Sequence, residues 1–302
     1  MRRLFLVLVA VGSCASIFAS PANRAARVTV HVAVEDPTGN PVARLPAGTF
    51  SLSVDGVAQP IESVVPADQP LSVILVVDDS PSMKPFAGRL TRPAREFITS
   101  LDAADRWRVG EFGDRITFSR AFASGPSSFR LEPREPIALR ERTVRGGSPL
   151  WDAVHHSVEL LADQEGRRRI VLVFTDGRAS GNQHTLEEVA EFSNDNAASV
   201  SAIVPVRSVG IRQDAETMAV VSPEANLDRL ARYTGGMLLG GFELKDDPLK
   251  QLRDVAARVR AGYTLSFVMP EPDGRRHRLD VRVATPGLQV RAPMAFRAVR
   301  GE

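Results

Sequence analysis

The stretch Val73-Ile74-Leu75-Val76-Val77-Asp78-Asp79-Ser80-Pro81-Ser82-Met83 decides how the rest of this chain is read. Its first five residues are apolar and four of them are β-branched, which suits a central strand buried on both faces of a parallel sheet. The run then stops at a carboxylate followed by two hydroxyls. In an open α/β sheet, ligands bind beyond the carboxyl ends of the strands. Asp78, Ser80 and Ser82 therefore form a compact set of oxygen donors where a ligand would sit. Asp79 falls on the other side by alternation and is read as structural. Alone, an aspartate at a strand end is more often a turn former or a helix cap, so the assignment depends on what else reaches that edge.

Two other segments reach it. Ile170-Val171-Leu172-Val173-Phe174 is a second strand of the same kind, and it runs into Thr175-Asp176-Gly177. Gly146-Gly147-Ser148-Pro149-Leu150 opens a helix and offers another hydroxyl. Two carboxylates and three hydroxyls suit a hard cation that prefers octahedral oxygen coordination, hence Mg²⁺ or Mn²⁺.

Taken in order, Asp78-x-Ser80-x-Ser82, then Gly146-Gly147-Ser148-Pro149-Leu150-Trp151-Asp152-Ala153, then Thr175-Asp176-Gly177 closely resembles the metal-ion-dependent adhesion site (MIDAS) of von Willebrand factor type A domains. The resemblance implies that Asp78, Ser80, Ser82, Ser148 and Asp176 hold the metal, directly or through water. It also implies one coordination position left for an acidic side chain of a protein partner. Two departures stand out. Ser148 occupies a position where the family usually has Thr, so the hydroxyl is kept without the stiffening methyl. Pro81 replaces a usual Gly and removes a backbone donor from the metal loop. The segments Thr49 to Ile61, Leu230-Ala231-Arg232-Tyr233-Thr234-Gly235-Gly236 and Ala261-Gly262-Tyr263-Thr264-Leu265 look like those of a secreted group of such proteins abundant in Acidobacteria and related bacteria.

Outward from the strand, periodicity divides the chain. Residues 27–65 read as short strands: Val28, Val30, Val32 and Val34 alternate with Thr29, His31 and Ala33, and Phe50, Leu52 and Val54 alternate again before the hairpin dipeptide Asp55-Gly56. Pro66 to Pro70 reads as a linker. Across 71–260 strands alternate with helices, with a third strand within Val200 to Ile211. Val109 to Phe112 and Ile116 to Phe122 read as an antiparallel pair around Gly113-Asp114. Apolar helix faces appear at Ala153, Val154, Val158, Leu160 and Leu161, at Leu227, Leu230 and Ala231, and at Leu249, Leu252, Val255, Ala256 and Val259. In 262–299, Tyr263 to Val268, Leu279 to Val283 and Leu288 to Ala292 are strand candidates. The fold class expected is α/β: a doubly wound, mostly parallel sheet of von Willebrand factor A type over 71–260, with β-rich N- and C-terminal flanks. Economy of burial favours packing both flanks into one β-sandwich, because a lone three-stranded sheet leaves exposed edges.

The N-terminus reads as an export signal over residues 1–22. Arg2-Arg3 is basic, Leu4 to Val11 is unbroken and apolar, and small residues follow to Ala22. The run is short of the roughly 20 apolar residues of a membrane span, and no other segment approaches that length. Cys14 leaves two readings open. Val11-Gly12-Ser13-Cys14 resembles a bacterial lipobox, which would make Cys14 a lipid anchor; otherwise Cys14 is a small residue inside an ordinary signal. Both place the protein outside the cytoplasm, secreted or periplasmic.

Composition narrows the functional classes. Of 302 residues, 38 are Lys or Arg against 36 Asp or Glu, for a net charge of +2, and aromatics make up 6%. No basic stripe with interleaved aromatics appears, which argues against nucleic acid. A single cysteine excludes a disulfide framework and a Cys-rich zinc site. An aspartyl-nucleophile phosphatase needs a second carboxylate where Ser80 stands, a nucleotide-binding protein needs a glycine-rich loop after the first strand, and no nucleophile-elbow sequence surrounds a serine. The chain is read as a non-enzymatic, metal-dependent protein-binding module. The other reading is a structural part of an envelope assembly in which the metal only stabilises loops. Several residues take plainer roles. Asp152 is expected to charge the helix start, and Trp151 to pack in the core. Arg167-Arg168-Arg169 is expected to be a solvated turn. The adjacent pair His155-His156 should not chelate, because neighbours on a helix do not share a face.

Overall fold

The computed structural model describes residues 25–126, 134–137, 147–205, 222–242, 257–258, 260–270 and 272–298. The segment 1–22 with Cys14, Gly146, and the apolar face from Leu249 to Val259 lie outside the described residues. The first strands are β1 (Ala26–Glu35), β2 (Phe50–Val54), β3 (Val57–Gln59) and β4 (Ile61–Pro66). The middle of the chain contains β5 (Leu71–Asp78), α1 (Lys84–Thr99), β6 (Arg106–Phe112), β7 (Ile116–Ser119), β8 (Ala123–Ser124) and β9 (Arg134–Ile137). It continues with α2 (Leu150–Ala162), β10 (Arg168–Phe174), α3 (Leu186–Asp195), β11 (Ala198–Pro205), α4 (Pro223–Tyr233) and β12 (Leu238–Phe242). Then follow β13 (Tyr263–Met269), β14 (Arg276–Val283), β15 (Gln289–Arg291) and β16 (Ala295–Arg297).

The middle strands form one sheet in the order β12-β11-β10-β5-β6-β7-β9, with β8 also paired to β6. From β12 to β6 the pairing is parallel; β7, β8 and β9 are antiparallel. The unbroken apolar runs of β5 and β10 follow from this position. Ile74, Val76, Val171 and Val173 pack toward α2 and α3, in a cluster with Val154, Val158 and Val189. Val73, Leu75, Ile170 and Leu172 face the opposite way, toward Phe86, Phe97 and Ile98 of α1. Both faces of each strand are thus covered, which removes any reason for polar alternation. The expected pair around Gly113-Asp114 is present, with Gly110 opposite Phe118 and Phe112 opposite Ile116.

The helices α1 and α3 had no clear apolar signature. Pro85, Gly88 and Pro93 interrupt the pattern of α1, although Phe86, Ala94, Phe97 and Ile98 are buried. In α3 the start is set by a capping box, in which Thr185 accepts from Glu188 N and the Glu188 side chain accepts from Thr185 N.

The flanks interleave. One four-stranded sheet has the order β15-β1-β13-β4 and the other β16-β14-β2-β3. Val30 of β1 lies opposite Leu265 of β13, and Leu52 of β2 lies opposite Val281 of β14. Val30, Val32, Phe50, Leu52, Leu265, Phe267, Val281 and Phe296 share one apolar cluster. Full burial of a side chain such as Phe267 contributes about 2–3 kcal/mol. Neither flank forms its sheets alone, so the α/β region is inserted into a β-sandwich.

The two crossings between sandwich and insert converge on Asp105, which is fully buried. Its carboxylate accepts from Leu71 N at 2.8 Å and from Asp102 N at 2.7 Å, and pairs with the Arg260 guanidinium. Leu71 opens β5 and Arg260 closes the segment that leads back to the sandwich, so one carboxylate pins entry and exit together. Arg167-Arg168-Arg169, expected as a solvated turn, belongs to the same junction. Arg167 donates to Leu71 O and Ala104 O, Arg168 is buried and donates to Arg260 O, and Arg169 donates to Ala162 O and Asn196 O. For Arg169 the reason is that carbonyls at helix ends lack intrahelical partners: Ala162 ends α2 and Asn196 caps α3. Among the described residues no helix is long and apolar enough to cross a membrane.

Candidate metal centre

The centre is built at the carboxyl end of β5. Asp78 is the last residue of that strand and is 2% exposed. Its Oδ1 accepts from Ser80 N at 2.9 Å, so the chain turns tightly around its own carboxylate. The turn continues with Met83 N donating to Ser80 O at 2.9 Å. Pro81 therefore sits at the second position of a four-residue turn, where its fixed φ is favourable. The hydroxyls of Ser80 and Ser82 lie 3.0 Å apart.

Two more loops close on the same carboxylate. The Ser148 hydroxyl, just before α2, donates to Asp78 Oδ2 at 3.5 Å. The Thr175 hydroxyl, just after β10, donates to the same oxygen at 2.6 Å. Asp176 follows, 6% exposed, with Oδ1 accepting from Arg178 N at 3.1 Å. Asp78, Ser80, Ser82 and Ser148 are thus joined by hydrogen bonds. Asp176 lies two residues beyond the end of the adjacent strand β10, close enough for its charge to act on Asp78. Burial pushes the Asp78 carboxyl above the usual carboxylate range, hydrogen bonds from Thr175 and Ser80 oppose the rise, and the Asp176 charge adds to it. The set consists of oxygen donors only, with two buried carboxylates that repel each other. That chemistry fits a hard divalent cation.

Thr175 was not singled out as a site residue, although it precedes Asp176. It has no exposure, and its hydroxyl also accepts from Gly177 N at 3.0 Å. Gly177 has φ of 78°, and a side chain there would meet Pro223 O at 2.9 Å, so the strand end turns through a position only glycine fits.

A further layer was also missed. The loop after Asp176 clasps the start of α2. Ser148 N donates to the Ser180 hydroxyl at 3.0 Å and Ser180 N to Ser148 O at 2.8 Å. Asn182 Oδ1 accepts from Trp151 N at 2.7 Å. Asp152, expected to charge the helix start, does lie in its first turn, but its carboxylate accepts from Gln183 N, His184 N and His184 Nδ1. It is 1% exposed and anchors the loop. Polar residues spaced along a loop carry no periodicity, so only the three-dimensional closure reveals this clasp. Asp79 is exposed and Trp151 is buried, each as expected.

No family model matches the sequence, and no curated protein matches it. Solved structures do resemble it in fold. The von Willebrand factor type A from Catenulispora acidiphila is 10% identical over 85% of this chain and 76% of that one, with a TM-score of 0.45. The ArnB paralog VWA2 from Sulfolobus acidocaldarius is 10% identical over 89% of this chain and 76% of that one, with a TM-score of 0.44. Proximal thread matrix protein 1 from the mussel byssus, solved with a zinc-occupied MIDAS motif, is 14% identical over 67% of this chain and 48% of that one, with a TM-score of 0.47. At such identities these are likenesses of fold, and what those proteins bind stays with them.

Proposed function

We propose that this chain is a metal-ion-dependent protein-binding module of the von Willebrand factor A type, acting outside the cytoplasm. One observation carries the reading: the buried Asp78 carboxylate is met by hydroxyls from Ser148 and Thr175 on two other loops, while Ser80 and Ser82 complete its own loop. In this reading Asp78, Ser80, Ser82, Ser148 and Asp176 hold Mg²⁺ or Mn²⁺, directly or through water. The bound ion supplies an electrophilic position that an acidic side chain of a partner protein completes. Thr175 orients Asp78 from behind, as outer partners of metal ligands do. The clasp of Ser180, Asn182 and Asp152 holds the Ser148 hydroxyl in place before any ion arrives. Export rests on the signal over residues 1–22, with or without a lipid on Cys14. The absence of a carboxylate at position 80 supports a binding role over phosphoryl transfer.

Calorimetry on the purified mature protein tests the site. Mg²⁺ or Mn²⁺ should bind the wild type, and binding should be lost in Asp78→Ala and in Asp176→Ala. Identical titrations of all three proteins would sink the assignment. Capture of a partner from envelope extract, with Mg²⁺ and with EDTA, then separates the two functional readings. A binding module loses its partner in EDTA; if the metal is merely stabilising, EDTA lowers the melting temperature and leaves capture intact.

A further inference from the structure

We propose a second metal site of different chemistry on α2, formed by His155, His156 and Glu159 and suited to Zn²⁺ or a similar borderline divalent ion. Adjacent helical residues diverge by about 100°, which from sequence alone spoke against a chelate at the histidine pair. Glu159 changes that geometry. It lies four residues after His155 and three after His156, so its direction falls between theirs. Its carboxylate oxygens are 3.7 Å from His155 Nδ1 and 2.7 Å from His156 Nδ1. One ligand atom from each of the three residues lies within 4.8 Å of the others.

Two features separate this cluster from an ordinary solvated helix face. The His155 ring is held between His184, at 3.9 Å and 11° between planes, and Phe192, at 4.2 Å and 13°. Clamped on both faces, the ring is held in one plane. His155 Nδ1 is also buried and has no hydrogen-bond partner among the described residues. A buried polar atom in that state is destabilising, and a metal ion accepting its lone pair removes the cost. The clamp is itself fixed, since His184 Nδ1 bonds Asp152 Oδ1 at 2.8 Å.

The donor set decides the ion. Two imidazole nitrogens and one carboxylate match three-ligand zinc sites that keep a fourth position open. Imidazole favours Zn²⁺, Cu²⁺ and Ni²⁺, whereas Mg²⁺ prefers an all-oxygen shell. The cluster and the Asp78 centre therefore select different ions, and the inference does not depend on the proposed function of that centre.

The test uses the full mature chain with Mg²⁺ in excess and Zn²⁺ as the probe. Side-chain ¹⁵N spectra of the histidines should show the Nδ1 signals of His155 and His156 shifting with one equivalent of Zn²⁺, while those of His31 and His277 stay in place. Competition against a chromophoric chelator should show Zn²⁺ affinity reduced tenfold or more in His156→Gln and Glu159→Gln, a loss on the scale of removing one ligand or its support. Both positions are partly exposed, so these variants should fold. The double variant Asp78→Ala/Asp176→Ala should retain the binding. Zn²⁺ bound equally well by His156→Gln and Glu159→Gln would overturn the proposal, as would absence of Zn²⁺-dependent shifts at His155 and His156.

Discussion

Acidification should loosen this protein at the seam between sandwich and insert, and His31 is where the effect can be isolated. His31 lies in β1, opposite Thr264 of β13, and its Nδ1 is 3.2 Å from the Thr264 hydroxyl. Its other surroundings are the cleft lined by Arg168, Arg169, Asn194, Ser199 and Thr234. None of these is an acid. Burial first, and the Arg168 charge second, lower its pKa from 6.5 to about 4. Arg168 is lowered to about 10, by burial first and by the Arg260 charge second, and so stays charged at neutral pH. Between pH 6.5 and 4 the unfolded chain therefore binds a proton at His31 that the folded chain refuses. Stability is present in full above pH 6.5 and is lost as pH falls toward 4. At about 1.4 kcal/mol per pKa unit, the loss reaches about 2 kcal/mol at pH 5 and about 3 kcal/mol at pH 4. Urea denaturation of wild type and His31→Gln from pH 7.5 to 4.5 reads this directly, because the shared carboxylate titrations cancel in the difference. The wild type should lose about 2.5 kcal/mol more than the variant over that range. A difference that does not change with pH, or an imidazole titrating near 6.5 in the folded protein, would refute the argument.

Three other outcomes are expected. Asp105→Ala leaves Leu71 N and Asp102 N without their acceptor and the Arg260 guanidinium without its partner; it should cost about 3–5 kcal/mol in urea denaturation, with Asp105→Asn costing less. Thr175→Val keeps shape but removes the 2.6 Å hydrogen bond to Asp78 Oδ2; calorimetry should show Mg²⁺ affinity weakened by about tenfold. In Gly236→Ala the new methyl would fall 1.9 Å from Val200 O, so the backbone must shift. Thermal denaturation should show a cost of about 1–3 kcal/mol, as for other overpacked sites.

What could be read in advance follows a physical pattern. The central strands were legible because burial on both faces demands an unbroken apolar run, and Val73 to Val77 and Ile170 to Phe174 are such runs. The gathering of Asp78, Ser80, Ser82, Ser148 and Asp176 at one sheet edge was legible because each stands at or just after a strand end or just before a helix, where topology fixes its place. Alternation along Val28 to Val34 and Phe50 to Val54 gave the inward faces of the sandwich. Helix α1 was obscured by Pro85 and Pro93, since breakers erase a periodic signal even where Phe97 and Ile98 pack fully. Asp105, Thr175 and the Ser180–Asn182 clasp were invisible for a different reason. Each acts through contacts between residues far apart in sequence, as in the 34-residue separation of Leu71 and Asp105. The His155 cluster was not legible from adjacency alone, because Glu159, four and three residues on, brings a third ligand atom between the two rings.

The insertion also assigns the two ends of the α/β sheet to different tasks. At the amino ends of β10 and β11, Arg168, Arg169, Ala198 and Ser199 line a cleft whose other wall is β1 and the segment Pro293 to Phe296. The helical side is tied to the sandwich as well, with Arg276 pairing with Glu191 and Asp195 of α3, and Arg297 with Asp195. These contacts fix the insert from below and from one flank. The carboxyl ends of β5 and β10 carry Asp78 and Asp176 at the opposite end of the same strands. A parallel sheet places all its ligand-facing loops at one end, so docking the amino ends on the sandwich leaves the donor loops pointing away from it. A partner engaging the Asp78 centre would therefore approach without displacing the sandwich. Perturbing His31 or Asp105 should change stability while leaving Mg²⁺ affinity unchanged, whereas Thr175→Val should weaken Mg²⁺ affinity and, because Gly177 N loses its acceptor, cost stability as well. Sites at opposite ends of the sheet share no contacts, and their effects should add. A double variant Asp105→Asn/Thr175→Val whose stability loss and affinity loss each match the sum of the single variants would bear this out. Affinity that collapses in Asp105→Asn alone would mean that the two ends of the sheet are coupled.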